Sequence, residues 1–199
     1  MRGAMAACAL ACALAAPPPA AAQHYEIDLS RIDPAAVIAL GDDVLLRAPD
    51  AAIDRLFSAV HASAGSERES AALCALFEPD APRDVAAFQR AVDGLGDASR
   101  ERFARAFTGI ALSGLEGTPQ AYDPQHARQV LKSAAVSATL LHEGFMQGLA
   151  AGDDPAGREA RCRSFRWLVG VLHGLPASDR VAATRWLLRE GLSLAAASR

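Results

Sequence analysis

Downstream of residue 50, apolar residues recur at helical spacing, and this periodicity most constrains what the chain can fold into. The first such run has the i, i+3, i+4, i+7 spacing of one helical face: Ile53, Leu56, Phe57 and Val60. Strict alternation of apolar and polar residues, which would indicate half-buried strands, is scarce. The sequence therefore predicts an all-α fold, a single domain built as an irregular orthogonal or up-down bundle of six to seven helices.

Two Asp-Pro pairs mark helix starts clearly, because an aspartate cap and a proline at the first helical position both suit a helix N-terminus. We expect Asp123-Pro124 to begin a long helix that reaches about Ala150, and Asp154-Pro155 to begin another. Other starts are predicted from a capping box at Ser66 and Glu69, and from single aspartates at residues 50 and 97.

The N-terminal segment, residues 23–49, is predicted to be partly irregular, ahead of a helical domain over residues 50–199. Asp33-Pro34 indicates the start of a short helix that ends at Leu40. Residues 43–47 are expected to form a brief extended piece.

Residues 1–22 have the order of a secretory signal peptide, with a charge at Arg2, an apolar run from Ala4 to Ala16, and small residues before Gln23. The run is shorter than the roughly 20 apolar residues that span a bilayer. We therefore expect export of residues 23–199 to the periplasm or out of the cell, without a transmembrane helix. A lipoprotein anchor at Cys12 is the alternative, although Leu10 lies one position late for such a signal.

The composition argues against several classes of partner. Removal of Arg2 would take the formal net charge from −3 to −4, which disfavours a nucleic acid bound by charge. Asparagine is absent and Lys132 is the only lysine, a bias typical of a GC-rich bacterial genome. There is no glycine-rich phosphate loop and no serine-nucleophile motif, so no cofactor is predicted.

Only two cysteines follow residue 22, Cys74 and Cys162. Each shares a helical face with apolar neighbours, and an even count in an oxidising compartment predicts a disulfide between them. Two separate buried thiols are the alternative. The absence of a C-x-x-C pair after residue 22 argues against a redox enzyme.

His142 and Glu143 resemble the first half of the H-E-x-x-H zinc motif, but Met146 stands where the second histidine is required. No metal site is therefore predicted. The two residues remain catalytic candidates in one alternative hypothesis, an enzyme or metal-binding protein that also uses a distant histidine such as His126 or His173. A further alternative is a carrier that holds a small apolar or lipid ligand between helices, near Phe145 or Met146.

The densest basic patch lies after the second Asp-Pro pair. It suits a carboxylate, a phosphate or an acidic protein surface, and its alternative is a solvated face partly neutralised by Glu159. The residues predicted to form a binding face are Arg158, Arg161, Arg166 and Trp167, with Arg163 in the same patch.

These observations predict an exported α-helical binding module that acts on another protein of the cell envelope. An adaptor, inhibitor or immunity-like role would fit such a module by analogy.

Overall fold

A computed structural model describes residues 34–82 and 85–197 of the chain, and within that part it contains nine α-helices and no strand. The predicted all-α class is therefore confirmed. The predicted signal peptide, the lipoprotein position Cys12 and the rest of residues 1–33 lie outside the described residues. In chain order the helices are α1 (Pro34–Arg47), α2 (Asp50–Ala64), α3 (Glu67–Cys74), α4 (Val85–Gly94), α5 (Asp97–Glu116), α6 (Pro124–Leu141), α7 (Phe145–Leu149), α8 (Pro155–His173) and α9 (Ala177–Ala197).

Both Asp-Pro pairs begin helices as predicted. The Asp123 carboxylate accepts a hydrogen bond from the Gln125 N–H at 2.8 Å, with Pro124 as the first residue of α6. The Asp154 carboxylate accepts one from the Gly157 N–H at 2.7 Å at the start of α8. Each aspartate thus satisfies a backbone donor that has no partner within its own helix.

Glu69 joins two helices instead of closing a capping box. Ser66 accepts a hydrogen bond from the Glu69 N–H at 3.4 Å, as expected at the start of α3. The Glu69 carboxylate, however, accepts from the Gly96 N–H at 3.0 Å and the Ser99 hydroxyl at 2.6 Å. It therefore caps α5, a role that the sequence assigned to Asp97. Burial opposes ionisation of Glu69, but these hydrogen bonds lower its pKa overall.

The described helices outnumber the six or seven that were expected, partly because the helix predicted to reach Ala150 ends at Leu141. His142 then adopts an extended backbone, with φ −131° and ψ 105°. Gly144 has φ 86°, a left-handed conformation that side chains rarely adopt. This turn separates α6 from the short helix α7.

The prediction of an extended piece at residues 43–47 is wrong, because α1 continues through Arg47. Leu45 is buried in the core, and Arg47 forms an ion pair with Asp43, one turn earlier, at 2.8 Å. A five-residue run is too short for periodicity to separate a strand from the end of a helix. Helical structure begins at Pro34, ahead of the predicted domain boundary at residue 50.

Helix α2 holds the centre of the fold, since it contacts α3, α5, α8 and α9. One apolar cluster joins α2 to α1, α5 and α9 through Leu45, Ala48, Ala52, Ile53, Leu56, Ala106, Ile110 and Val181. A second joins it to α6, α8 and α9 through Phe57, Ala64, Val130, Ala134, Val169, Leu172 and Ala183. Because α2 is covered on two sides, its C-terminal turns are held firmly against α8.

The disulfide predicted between Cys74 and Cys162 is present and joins α3 to α8, with a Cα–Cα distance of 5.4 Å. It lies next to the α2–α8 contact, because α3 follows directly on α2. None of the helices in the described part of the chain is long and apolar enough to cross a bilayer.

Candidate functional site

An open groove of about 370 Å³ lies between the C-terminal end of α2 and the middle of α8. Four of its residues stand at i, i+3, i+4 and i+7 on α8, so they share one face of that helix. The lining residues are His61, Ala64, Gly65, Arg163, Arg166, Trp167 and Gly170. We call this surface the α2–α8 groove.

Trp167 is the aromatic wall of the α2–α8 groove, and its position is set by two neighbours. The His142 imidazole stacks on the indole ring at a centroid distance of 4.8 Å and an interplanar angle of 2°. The Arg163 guanidinium lies 5.7 Å from the ring centroid, within the range of a cation–π contact. The break after α6 is what brings His142 to this ring.

Arg166 ties α8 to the end of α2. Its Nε donates a hydrogen bond to the Ala64 carbonyl oxygen at 2.9 Å, and that carbonyl belongs to the last turn of α2, where cations are favoured. Among the described residues no carboxylate forms an ion pair with Arg166. Arg163 forms a long ion pair with Glu159 at 3.9 Å, and both side chains are about half exposed or more. The groove therefore carries positive charge that the surrounding protein leaves largely unneutralised.

Next to the groove, three aromatic rings stack on one another, and one of them belongs to the lining residue His61. The imidazoles of His61 and His173 lie parallel at 3.7 Å between centroids, and Phe57 stacks near both at 6.4 Å. The Arg180 guanidinium lies 5.6 Å from the Phe57 centroid and forms a bidentate pair with Asp54, at 2.8 and 3.1 Å. Burial, followed by the charges of His173 and Arg180, lowers the pKa of His61 below its ordinary value of 6.5.

Two of the four predicted binding residues, Arg166 and Trp167, lie together in the groove, and the other two lie elsewhere. Arg161 is bound within the protein, where it pairs with Glu78 and donates at 2.6 Å to each of the carbonyls of Ala151 and Gly152. Its hydrogen bond to Glu78 raises the pKa of Arg161, and so holds it in the cationic form. The structure thus gives Arg161 an internal role that joins α8 to two loops.

Arg158 lies in the same sector of α8 as Arg161, because about 100° of rotation separates successive helical residues and the groove residues face the other way. Its guanidinium donates to the Asp153 carbonyl, and its side chain lines a second surface hollow with Glu78, Asp80 and Arg90. Carboxylates and guanidinium groups are mixed there, so that hollow lacks the charge bias of the α2–α8 groove.

The histidines do not gather into a ligand set. His142 stacks on Trp167, His126 hydrogen-bonds Asp179 at 3.1 Å, and His173 stacks on His61. Glu143 is exposed beside His142. Within the described residues no group of three or more His, Cys, Asp or Glu side chains is placed to hold a metal ion.

The region predicted for a carried ligand is closely packed at one point. Phe145 is 1% exposed, and its carbonyl oxygen accepts a hydrogen bond from the Ser164 hydroxyl at 2.9 Å. A Cβ atom at Gly148 would lie 2.6 Å from the Ala160 carbonyl oxygen. Helix α7 therefore sits directly on α8, whereas Met146 is half exposed on the opposite side.

The sequence analysis missed His61, and it placed Arg163 in the basic patch but not among the residues of the predicted binding face. The i, i+3, i+4, i+7 spacing of Arg163, Arg166, Trp167 and Gly170 was a usable signal for a shared face. The sequence signal for His61 was weaker: it follows the apolar residue Phe57 by one helical turn.

No protein-family model, characterised protein or solved structure matches this chain. What the chain does must therefore be argued from the chemistry of its own surface.

Proposed function

We propose that this protein is an exported binding module whose α2–α8 groove captures an acidic segment of another protein. The observation that carries the proposal is the pair of arginines that line one groove within a chain of net charge −3: Arg166 has no ion pair among the described residues, and Arg163 has a long one with Glu159 at 3.9 Å. Two guanidinium groups one turn apart can hold carboxylates through paired, charge-assisted hydrogen bonds.

The shape and lining of the groove support a protein partner. The groove is open to solvent between α2 and α8, and its partly exposed arginines can be reached by a segment of another protein. Trp167 adds apolar surface next to the two arginines, and tryptophan and arginine are the residues most enriched where interfaces gain their binding energy. Arg166 is held in place by its bond to Ala64, so little ordering is required of it on binding.

The proposal places the module outside the cytosol. The signal-peptide pattern of residues 1–22 supports export, and a disulfide between Cys74 and Cys162 suits an oxidising compartment. The partner would then be an envelope or secreted protein, and the module an adaptor, inhibitor or immunity-like protein. The contacts of α2 with four other helices support an irregular bundle that presents the groove on its surface.

A direct test measures binding of a fluorescent hexa-aspartate peptide to residues 23–199 at pH 7.5, against a hexa-glutamine peptide of the same length. We expect selective binding of the acidic peptide that weakens as salt rises, because exposed charges are screened. The double variant Arg163→Gln/Arg166→Gln should bind it about tenfold more weakly or worse, since both charge-assisted contacts are lost.

The matched control is Arg105→Gln. Arg105 pairs with Glu101 one turn earlier at 3.1 Å, just as Arg163 pairs with Glu159, but on α5 and outside the groove. Circular dichroism and thermal melting show whether each variant keeps the fold. Equal binding by the double variant and the Arg105 variant would refute the assignment of the groove. Competition by free sulfate, with no preference for the peptide, would mark the groove as a general anion site and refute a protein partner.

A further inference from the structure

His61 is the groove residue whose charge can change near neutral pH, since an unperturbed histidine titrates near pH 6.5. It stands one turn before Gly65 at the end of α2 and lines the groove with Arg163 and Arg166. Its ring is held by the parallel stack on His173 at 3.7 Å, so it cannot turn away from the groove without losing that contact.

The groups around His61 come from three helices. Helix α8 supplies His173, Arg163 and Arg166, and α9 supplies Arg180. Asp54 on α2 is engaged by Arg180. Helix α3 also packs on α2, but its Glu69 carboxylate is bound to the start of α5.

Burial, followed by the charges of His173 and Arg180, lowers the pKa of His61, while Arg163 and Arg166 line the same groove. We infer that His61 is a proton-dependent third anion-binding group of the α2–α8 groove, which takes up a proton when an acidic ligand enters or when the pH falls. This inference rests on the proposed function and adds a regulation to it.

Proton uptake by His61 and binding of an acidic ligand are expected to strengthen each other. A carboxylate placed between Arg163, Arg166 and His61 stabilises the imidazolium, so ligand binding and proton uptake favour each other. One added positive charge at contact distance in an open, hydrated groove strengthens binding of an anion roughly fivefold. Acidic ligands are therefore held more tightly at pH 5.5 than at pH 7.5.

The test titrates hexa-aspartate into the wild type, His61→Phe and His126→Gln at pH 7.5 and pH 5.5, at constant ionic strength. Aspartate carboxylates stay ionised over this range. Phenylalanine keeps a planar ring on His173 but cannot be charged, and His126 is an exposed histidine outside the groove. We expect binding to strengthen on acidification, by up to about fivefold, for the wild type and His126→Gln, and no gain for His61→Phe.

A second measurement follows the protonation of His61 directly. The ring C–H resonances of His61, followed by NMR, should titrate below pH 6.5 in the free protein and at higher pH in the presence of the peptide. His173→Phe removes the charge that opposes protonation, so His61 should then titrate at higher pH than in the wild type, even if His61→Phe fails to fold.

The outcomes separate the two claims. Peptide binding that depends on Arg163 and Arg166 but not on pH leaves the proposed function standing and overturns the role of His61. If acidification strengthens peptide binding equally in His61→Phe and the wild type, the role of His61 is likewise overturned. A failure of the peptide to bind at either pH overturns both claims.

Discussion

The imidazole rings of His61 and His173 lie parallel, 3.7 Å apart and inclined by 7°. At that separation a proton on one ring opposes a proton on the other, and the nearby Arg180 adds to the opposition. The stack therefore links the charge state of the groove to the packing of α2 on α8.

The free energy of unfolding should fall as the pH drops from 7 towards 5, in part because of His61. Its pKa is lower in the folded protein than the 6.5 of an ordinary histidine, so the unfolded chain takes up the proton first. Urea unfolding of the wild type and His61→Phe at pH 7 and pH 5 measures the effect. We expect a smaller loss of stability in the variant, and an equal loss would show that His61 does not titrate differently on folding.

Loss of the Cys74–Cys162 bridge should destabilise the protein substantially, because it closes a long loop in the unfolded chain. The sequence separation is 88, for which the chain-entropy model gives about 4–5 kcal/mol. Cys74→Ala/Cys162→Ala and reduction of the wild type should lower the melting temperature by similar amounts. Insensitivity of the wild type to reductant would show that the bridge does not form.

Arg185 is expected to be the least replaceable arginine of α9. It is 1% exposed, donates to the carbonyls of Leu45 and Ala48, and pairs with Asp50 at 2.9 Å. Arg185→Met would leave the carbonyls at the end of α1 without their donor, at a cost of about 3–5 kcal/mol. Arg185→Lys should recover only part of the lost stability, because an ammonium group lacks the planar guanidinium fork that reaches several acceptors.

Chemical denaturation of the Arg185 variants gives these free energies, and Arg105→Ala is their control. Arg105 is exposed, and its ion pair among the described residues is with Glu101, so its loss should change stability by no more than about 0.5 kcal/mol. Similar values for Arg185→Met and Arg105→Ala would contradict the role of Arg185 in joining α9 to α1.

Two glycine-to-alanine changes should shift the stability of the protein in opposite directions. At Gly148 a Cβ atom would meet the Ser164 hydroxyl and lie 2.6 Å from the Ala160 carbonyl oxygen, so Gly148→Ala should cost about 1–3 kcal/mol. At Gly191 on α9 an added Cβ atom would meet no described neighbour from outside its own turn of helix within 4 Å, and Gly191→Ala should stabilise the helix by about 0.5–1 kcal/mol. Thermal melting compares them, and a neutral Gly148→Ala would show that α7 can move away from α8.

Several features were predictable because they depend on residues close in sequence. The Asp123 and Asp154 caps act on backbone donors two or three residues away. The break after Leu141 was also local, but its signal was ambiguous, since Gly144 is tolerated inside a helix as well as in a left-handed turn. The helix was therefore predicted to be longer than it is.

The roles of individual arginines were not predictable, because their partners lie far away in sequence. Arg161 was assigned to a binding face, yet it pairs with Glu78, 83 positions earlier. Arg166 was assigned to the same face and does line the groove, through a bond to Ala64 across 102 positions. Both arginines looked alike in the sequence, and only the rotation of α8 against its neighbours separates them.

The sequence alone determined the helical class and the helix starts at Asp123-Pro124 and Asp154-Pro155, because capping and periodicity act over one or two turns, and it predicted the pairing of Cys74 with Cys162 from the two cysteines that follow residue 22. The tertiary structure decided which charges stay unneutralised and which rings meet. Those outcomes depend on how α2 and α8 pack, and many helix arrangements satisfy the same local pattern, so the α2–α8 groove exists only at the level of the folded chain.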